Sequence, residues 1–212
     1  MVNVVSMRYY RPMLNTDTLL FELLERICRV ARAEQRTQGL SEQLQPVHLQ
    51  ALVFLDRANR YSNTPQTLAE YLGSTKGTVS QSLLLLYRRG LVVRASDPQD
   101  GRLVRLNLST EGRRLLDSVS LNEGWREALA GIPPEDIHTS AQVLGRALTN
   151  LQRSRGGRSF GVCRSCRHFQ MQSDERFRCG LTGEPLSLDD SRKICREHEP
   201  PDESGLNSAG QA

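Results

Sequence analysis

No apolar run in the 212-residue chain approaches the roughly 20 residues that a membrane-spanning helix needs. The opening residues MVNVVSMRYYRPML hold no apolar core followed by a small-residue cleavage site, so no secretory signal is expected either. Both absences point to a cytoplasmic protein without membrane contact. Histidines number only four, and no Ser/His/Asp arrangement, phosphate-cradling glycine loop or HExxH helix is visible. No catalytic residue is therefore expected, and an enzyme is the poorest reading. Aromatics make up 5% of the residues, so a core must be mainly aliphatic. Cysteine is scarce as well, yet four of the five crowd into positions 163–195. In a reducing compartment disulfides are disfavoured, and clustered thiols more often hold a metal. Cys28 stands apart in an apolar helical pattern and reads as a buried packing residue.

What is present is a basic chain, with formal net charge +4 and pI near 9.0, which leans toward nucleic acid. Helical spacing of Leu20, Leu23, Leu24, Ile27 and Ala31 predicts an amphipathic helix over 16–38, ending near Gly39. A second helix follows Pro46. Thr64-Pro65 is a helix start, with a hydroxyl cap before a first-turn proline, and that short helix stops at Gly73. A fourth helix begins at Ser74 or Thr75 and ends at Gly90. The period then changes to two: residues 91–96 and 103–109 read as strands joined by the turn-rich loop 97–102. Ser109-Thr110-Glu111 opens a helix expected to run through Leu115, Leu116 and Val119 to Trp125, before Pro133-Pro134. A last helix from about 135 places Ile137, Ala141, Leu144, Leu148 and Leu151 on a heptad-like seam suited to another helix. The basic Gly/Ser-rich segment 153–161 reads as a linker, and 199–212 as a disordered tail.

Two short helices joined at a glycine, then a β-hairpin, make a winged helix-turn-helix. The fold class expected is mainly α (α+β), with flanking dimerisation helices and a small metal-stabilised C-terminal module. In the recognition helix 75–90, Val79, Leu83 and Leu86 face inward, leaving Thr75, Lys76, Thr78, Ser80 and Gln81 free for a major groove. Gln81 suits adenine, Lys76 guanine or a phosphate, and Gly77 permits close approach of the backbone. From Leu72 to Arg114, eight basic residues, Arg94 among them, stand against three acids, where a phosphate backbone would lie. Arg102 at the hairpin tip is placed for a minor groove, with Asp100 to orient it.

The stretch LAEYLGSTKGTVSQSLLLLYRRGLVVRASDPQDGRLVRLNLSTEG (68–112) resembles the core of the MarR (multiple antibiotic resistance regulator) family. The likeness rests on KGTVS opening the recognition helix, GLV entering the hairpin, the DPQDGR wing and LSTEG, and extends in helical order over 16–152. It implies an obligate homodimer formed by the first and last two helices. It also implies two winged heads on pseudo-palindromic double-stranded DNA, repression of transcription, and relief by a ligand or by cysteine oxidation. Such proteins generally stop near the last helix, so the resemblance says nothing of residues 160–198.

There the spacing is Cys163-x2-Cys166-x12-Cys179-x15-Cys195-x2-His198. A thiolate pair from one tight turn and two ligands from afar can close a tetrahedron. The segment 160–198 offers few large apolar side chains, so coordination would supply the missing folding energy. Zn²⁺ and an iron–sulfur cluster both suit four thiolates. His198 is an alternative ligand, and His168 a weaker one. A cluster would give the regulator a redox, oxygen or iron-sensing role, whereas zinc is more often structural. The leading expectation is a DNA-binding regulator carrying this metal module. The runner-up is a winged-helix protein-interaction adaptor with a purely structural zinc.

Overall fold

The computed structural model describes residues 15–201 apart from 42, 99, 119–122, 155 and 174–175. The chain divides into two compact units, residues 1–49 and 50–212. In the first, helix α1 spans Thr16–Ser41 and so passes through Gly39, where the sequence led us to expect its end. The Gly39 carbonyl accepts the Leu44 N–H at 2.7 Å, and a Cβ on Gly39 would stand 2.2 Å from the Leu44 carbonyl oxygen. Glycine is needed there for close approach, not as a helix stop. Leu20, Phe21, Leu23, Ile27 and Val30 of α1 are exposed in the single chain. Cys28, expected to be buried, is exposed on the same helix.

Helix α2 (Pro46–Arg57) straddles the division and leads into the head formed by α3 (Pro65–Leu72), α4 (Lys76–Arg88), β1 (Val92–Ser96) and β2 (Val104–Leu108). Each boundary follows local chemistry. The Thr64 hydroxyl accepts the Thr67 N–H at 3.2 Å, capping α3 ahead of its first-turn proline. Gly73, at φ +60°, takes the left-handed turn that separates α3 from α4. The Thr75 hydroxyl then caps α4 through the Thr78 N–H at 3.2 Å. The hairpin is antiparallel from Val92 opposite Leu108 to Ser96 opposite Val104. Leu106 and Leu108 face the core, whereas Val104, on the same face by period-two alternation, is exposed beside the hairpin loop. Leu52, Phe54, Leu68, Val79, Leu83 and Leu86 lie fully buried. Each such side chain contributes about 1.5–3 kcal/mol.

Beyond the hairpin come α5 (Thr110–Ser118), α6 (Glu123–Ala130) and α7 (Pro134–Ser154). Of the helix expected from Ser109 to Trp125, α5 and α6 cover 110–118 and 123–130, and Val119 lies outside the described residues. Helix α7 buries none of its residues, and Val143, Leu144, Leu148 and Leu151 are exposed along it. The cysteine region is ordered from the outset. Strand β3 (Gly161–Val162) pairs with β7 (Ile194–Cys195), and β4 (Phe169–Ser173), β5 (Arg176–Cys179) and β6 (Pro185–Leu186) form an antiparallel sheet. A short helix, α8 (Leu188–Arg192), opens on a Ser187–Asp190 capping box. Residues 199–201, assigned to a disordered tail, are described; 202–212 lie outside the described residues. Among the described residues no helix is long and apolar enough to cross a membrane.

Gly112 in α5 abuts the wing. A Cβ there would stand 2.1 Å from the Leu91 carbonyl oxygen, a backbone atom that already accepts the Ser109 N–H at 3.0 Å. Gly112→Ala should therefore cost about 1–3 kcal/mol, read as a lower thermal midpoint. Gly101→Ala, whose new Cβ meets nothing within 4 Å, should melt as the parent does.

Candidate nucleic-acid interface and thiol centre

Thr75, Lys76, Gly77, Thr78, Ser80 and Gln81 are all exposed, and they share the outward side of the first turns of α4. Val79, Ser82, Leu83 and Leu86 take the inward side. The result is a helix start carrying free backbone N–H groups, one lysine and several short hydroxyl side chains, a surface suited to phosphate and base edges. Ser82 is inward because its hydroxyl donates to the Thr78 carbonyl at 3.0 Å. Arg94, Asp100 and Arg102 are likewise exposed on the wing. The Arg94 guanidinium sits 4.3 Å from the centre of the Tyr87 ring, which orients it beside α4.

Asp100 acts on Arg102 through the backbone: its carboxylate accepts the Arg102 N–H at 3.0 Å. Asp97 accepts the Asp100 N–H at 2.9 Å and the Arg105 Nε–H at 2.6 Å. The two acids thus shape the wing loop and leave Arg102 projecting. Asn63 ties the wing to the start of α3. Its carbonyl accepts the Leu106 N–H at 2.7 Å, and its amide donates to Asn107 Oδ1 at 3.3 Å.

The four cysteines of the C-terminal region are brought together. Cys163, Cys166, Cys179 and Cys195 line one cavity of about 40 Å³, which Tyr61, His168 and Phe169 also border. The Cys166 N–H donates to the Cys163 carbonyl at 3.0 Å, closing the tight turn that aims this pair inward. Cys179 sits on a second turn, with its N–H on the Glu184 carbonyl at 2.9 Å and its carbonyl accepting the Gly183 N–H at 2.7 Å. Burial, then the proximity of the thiols of Cys195, Cys179 and Cys166, pushes the Cys163 thiol up to about 12. Burial also raises Cys195, against hydrogen bonds from Asn59 and the Glu197 backbone. Raised in this way the thiols are held in the neutral form; ionised together they would need a cation to offset their repulsion, and four thiolates suit a soft one. The backbone N–H of Glu199 already points at Cys166 Sγ, at 3.4 Å. Among the described residues no three His, Cys, Asp or Glu side chains stand at metal-ligand spacing. The four thiols thus share one cavity without standing at metal-ligand spacing.

His198 is engaged elsewhere. Its Nε2 lies 3.0 Å from Ser165 Oγ, its ring packs on Gly161, and burial holds its pKa below the usual histidine value. His168 borders the cavity, with Nε2 at 3.4 Å from Glu199 Oε1.

Nothing in the spacing or composition signals that this region is seated on the winged head. The segment 153–161, read as a linker, begins in the last turn of α7 and ends in contacts. Ser159 donates to the His198 carbonyl at 3.0 Å, and the Phe160 ring meets Tyr71 edge-on at 5.2 Å. The α2–α3 loop supplies most of the rest. Ala58 forms a bridge with Ile194, and the Asn59 N–H donates to the Ile194 carbonyl at 2.9 Å. The Arg196 N–H donates to Ser62 Oγ at 2.8 Å, and Tyr61 Oη donates to Glu184 at 2.7 Å. Arg196 also grips Glu70 of α3 with two bonds, at 2.7 and 2.9 Å. Asn59, Ser62 and Glu70 were missed because nothing in a polar loop such as NRYSN names its partner more than a hundred residues away.

Residues 42–103 match the model of the MarR family. Among solved structures, a MarR family transcriptional regulator from Silicibacter pomeroyi is 24% identical, with 64% of this chain and 92% of that one covered and a TM-score of 0.54. The S. aureus MepR–DNA complex is 22% identical, covers 61% and 94%, and has a TM-score of 0.53. CouR from Rhodococcus jostii RHA1 bound to p-coumaroyl-CoA is 23% identical, covers 63% and 93%, and has a TM-score of 0.53. These likenesses establish the fold, a MarR-type winged helix. No match was found among curated proteins.

Burial would raise the Glu70 carboxyl, but the hydrogen bonds and charge of Arg196 hold it below the usual glutamate value. A lowered carboxyl stabilises the fold at pH above its unfolded value of 4.5, and that contribution is lost as pH falls through the lower folded value. Glu70→Gln should cost about 1 kcal/mol at neutral pH, the upper end for a partly exposed pair. The loss should shrink below about pH 4, as checked by urea midpoints of parent and variant across pH.

Proposed function

We propose that this chain is a DNA-binding transcriptional regulator of the MarR type. It acts as a homodimeric repressor on a pseudo-palindromic site, and its C-terminal thiol centre holds a metal or an iron–sulfur cluster. The observation that carries the DNA reading is the exposed, basic-flanked start of α4 beside a projecting wing, in a head whose residues 42–103 match the family. In this reading Thr75, Lys76, Gly77, Thr78, Ser80 and Gln81 enter the major groove. Arg102 reaches the minor groove from a loop shaped by Asp97 and Asp100, and Arg94 contacts the backbone. The unpartnered apolar faces of α1 and α7 suit dimerisation, which would put two recognition helices about one DNA turn apart. MepR has been solved on DNA, which is consistent with this use of the fold.

For the centre, Cys163, Cys166, Cys179 and Cys195 are the ligands, because all four line one buried cavity. Zn²⁺ would lock the module, whereas a cluster would add redox, oxygen or iron sensing.

Arg102→Ala should weaken binding to the protein's own promoter DNA about tenfold. It should also flatten the slope of log affinity against log salt by about 1. Fluorescence anisotropy at several salt concentrations checks both, and parent protein that binds DNA with no salt dependence would overturn the reading. Anaerobically purified protein should contain either stoichiometric zinc and no colour, or iron and sulfide with broad visible absorption. Finding neither would remove the metal.

A further inference from the structure

One residue of the cysteine region reaches both ends of α3. The Arg196 N–H donates to Ser62 Oγ at 2.8 Å, ahead of the Thr64 cap. In the last turn of the helix the Arg196 guanidinium donates to Glu70, from Nε to Oε2 at 2.7 Å and from Nη2 to Oε1 at 2.9 Å. Gln66, one turn earlier, adds its amide to Oε1 at 3.1 Å. Glu70 is also where α3 hands over to the recognition helix. Its carbonyl accepts the Gly73 N–H at 3.3 Å, and the Ala69 carbonyl accepts the Ser74 N–H at 3.0 Å. These bonds close the left-handed turn at Gly73, and the residue after Ser74 is Thr75, the cap of α4.

We propose that Arg196 is a positioning residue for DNA recognition. It brackets α3 from Ser62 to Glu70 and so holds the α3–α4 turn in the geometry in which the start of α4 meets the major groove. The inference rests on the DNA reading above and needs no occupant in the thiol cavity.

The guanidinium is committed to carboxylates. Nε and Nη2 face Glu70, Nη1 lies 3.5 Å from Glu197 Oε1, and the side chain is 21% exposed. A forked pair fixes direction as well as distance, which a point-charge ammonium does not. Leu68 and Ala69 pack α3 into the core, and the fork ties down the exposed Glu70 beside them. Holding a contact element in its bound geometry before DNA arrives removes an ordering cost from binding. The pair is partly exposed, so the gain is modest, about three- to fivefold in affinity. Its sign is diagnostic. Glu70 is an acid in a basic head, and by charge alone its loss would tighten binding to a polyanion. A positioning role makes the same loss weaken it.

Fluorescence anisotropy tests this with full-length protein and its own promoter DNA, across several salt concentrations and well below the melting range. Arg196→Gln and Glu70→Gln should each bind about three- to fivefold more weakly than the parent. The slope of log affinity against log salt should stay at the parent's value, since no phosphate contact is removed. The double variant should be no weaker than either single, because both break the same pair, and additive losses would count against the bracket. Unchanged affinity in both singles, or tighter binding by Glu70→Gln, would overturn the inference and leave the DNA reading standing. So would a slope flatter by about 1 in Arg196→Gln, which would make Arg196 a phosphate contact. A parent that binds no DNA would sink the DNA reading itself. If Arg196→Gln does not fold, Glu70→Gln decides alone, since it leaves the Arg196 bond to Ser62 in place.

Discussion

The structure of residues 50–212 turns on one interaction: the α2–α3 loop forms hydrogen bonds with strand β7 on both sides of Cys195. Backbone groups of Asn59 and Arg196 and the buried hydroxyl of Ser62 are removed from water there, and each must find its partner across the junction. Ser62 is 0% exposed and Asn59 1%, so neither has a solvent alternative. Packing then follows the bonds. Tyr71, Phe160 and Phe54 stack around one edge, and Arg60, Tyr61 and Glu184 close the other. A small cysteine-rich region with little apolar area of its own thereby borrows a wall from the winged head.

The same junction explains why the two candidate sites belong to one description. The head's proposed DNA-contact residues stand at the start of α4 and on the wing, and neither set lines the thiol cavity. Their placement is nonetheless set by residues 59–64, which cap α3, hold β2 and receive Cys195's neighbours. The arrangement keeps the basic surface free while its supports are shared.

Much of the head was legible in the sequence because its rules are local. A hydroxyl before a proline, a glycine between two short helices, and period-two alternation around DPQDGR each act within a few residues, and each recurs in the structure. The outward set at Thr75–Gln81 followed from the same periodicity that buried Val79 and Leu83. Where the reading departed from the fold, a non-local demand had won. Gly39 serves the Leu44 carbonyl and not a helix end, and Asp100 holds a backbone N–H instead of a guanidinium. Cys28 is exposed because the apolar stripe of α1 is unpartnered within a single chain. In the cysteine region, spacing alone brought four thiols into view, and the structure turns His198 to Ser165 and Gly161. The seat of that region on the head was invisible, since a polar pentapeptide and a strand 134 residues downstream carry no shared pattern.

The contacts of Ser159 and Phe160 bear on how such a chain could arise or be divided. Composition changes sharply at 153–161, and a cut there looks harmless on paper. It would strip the ring that covers Tyr71, leave Ser62 and Asn59 without their backbone partners, and bare a wet face on the helix-turn-helix. The winged head of this chain thus carries hydrogen-bonding groups whose partners lie in the cysteine region.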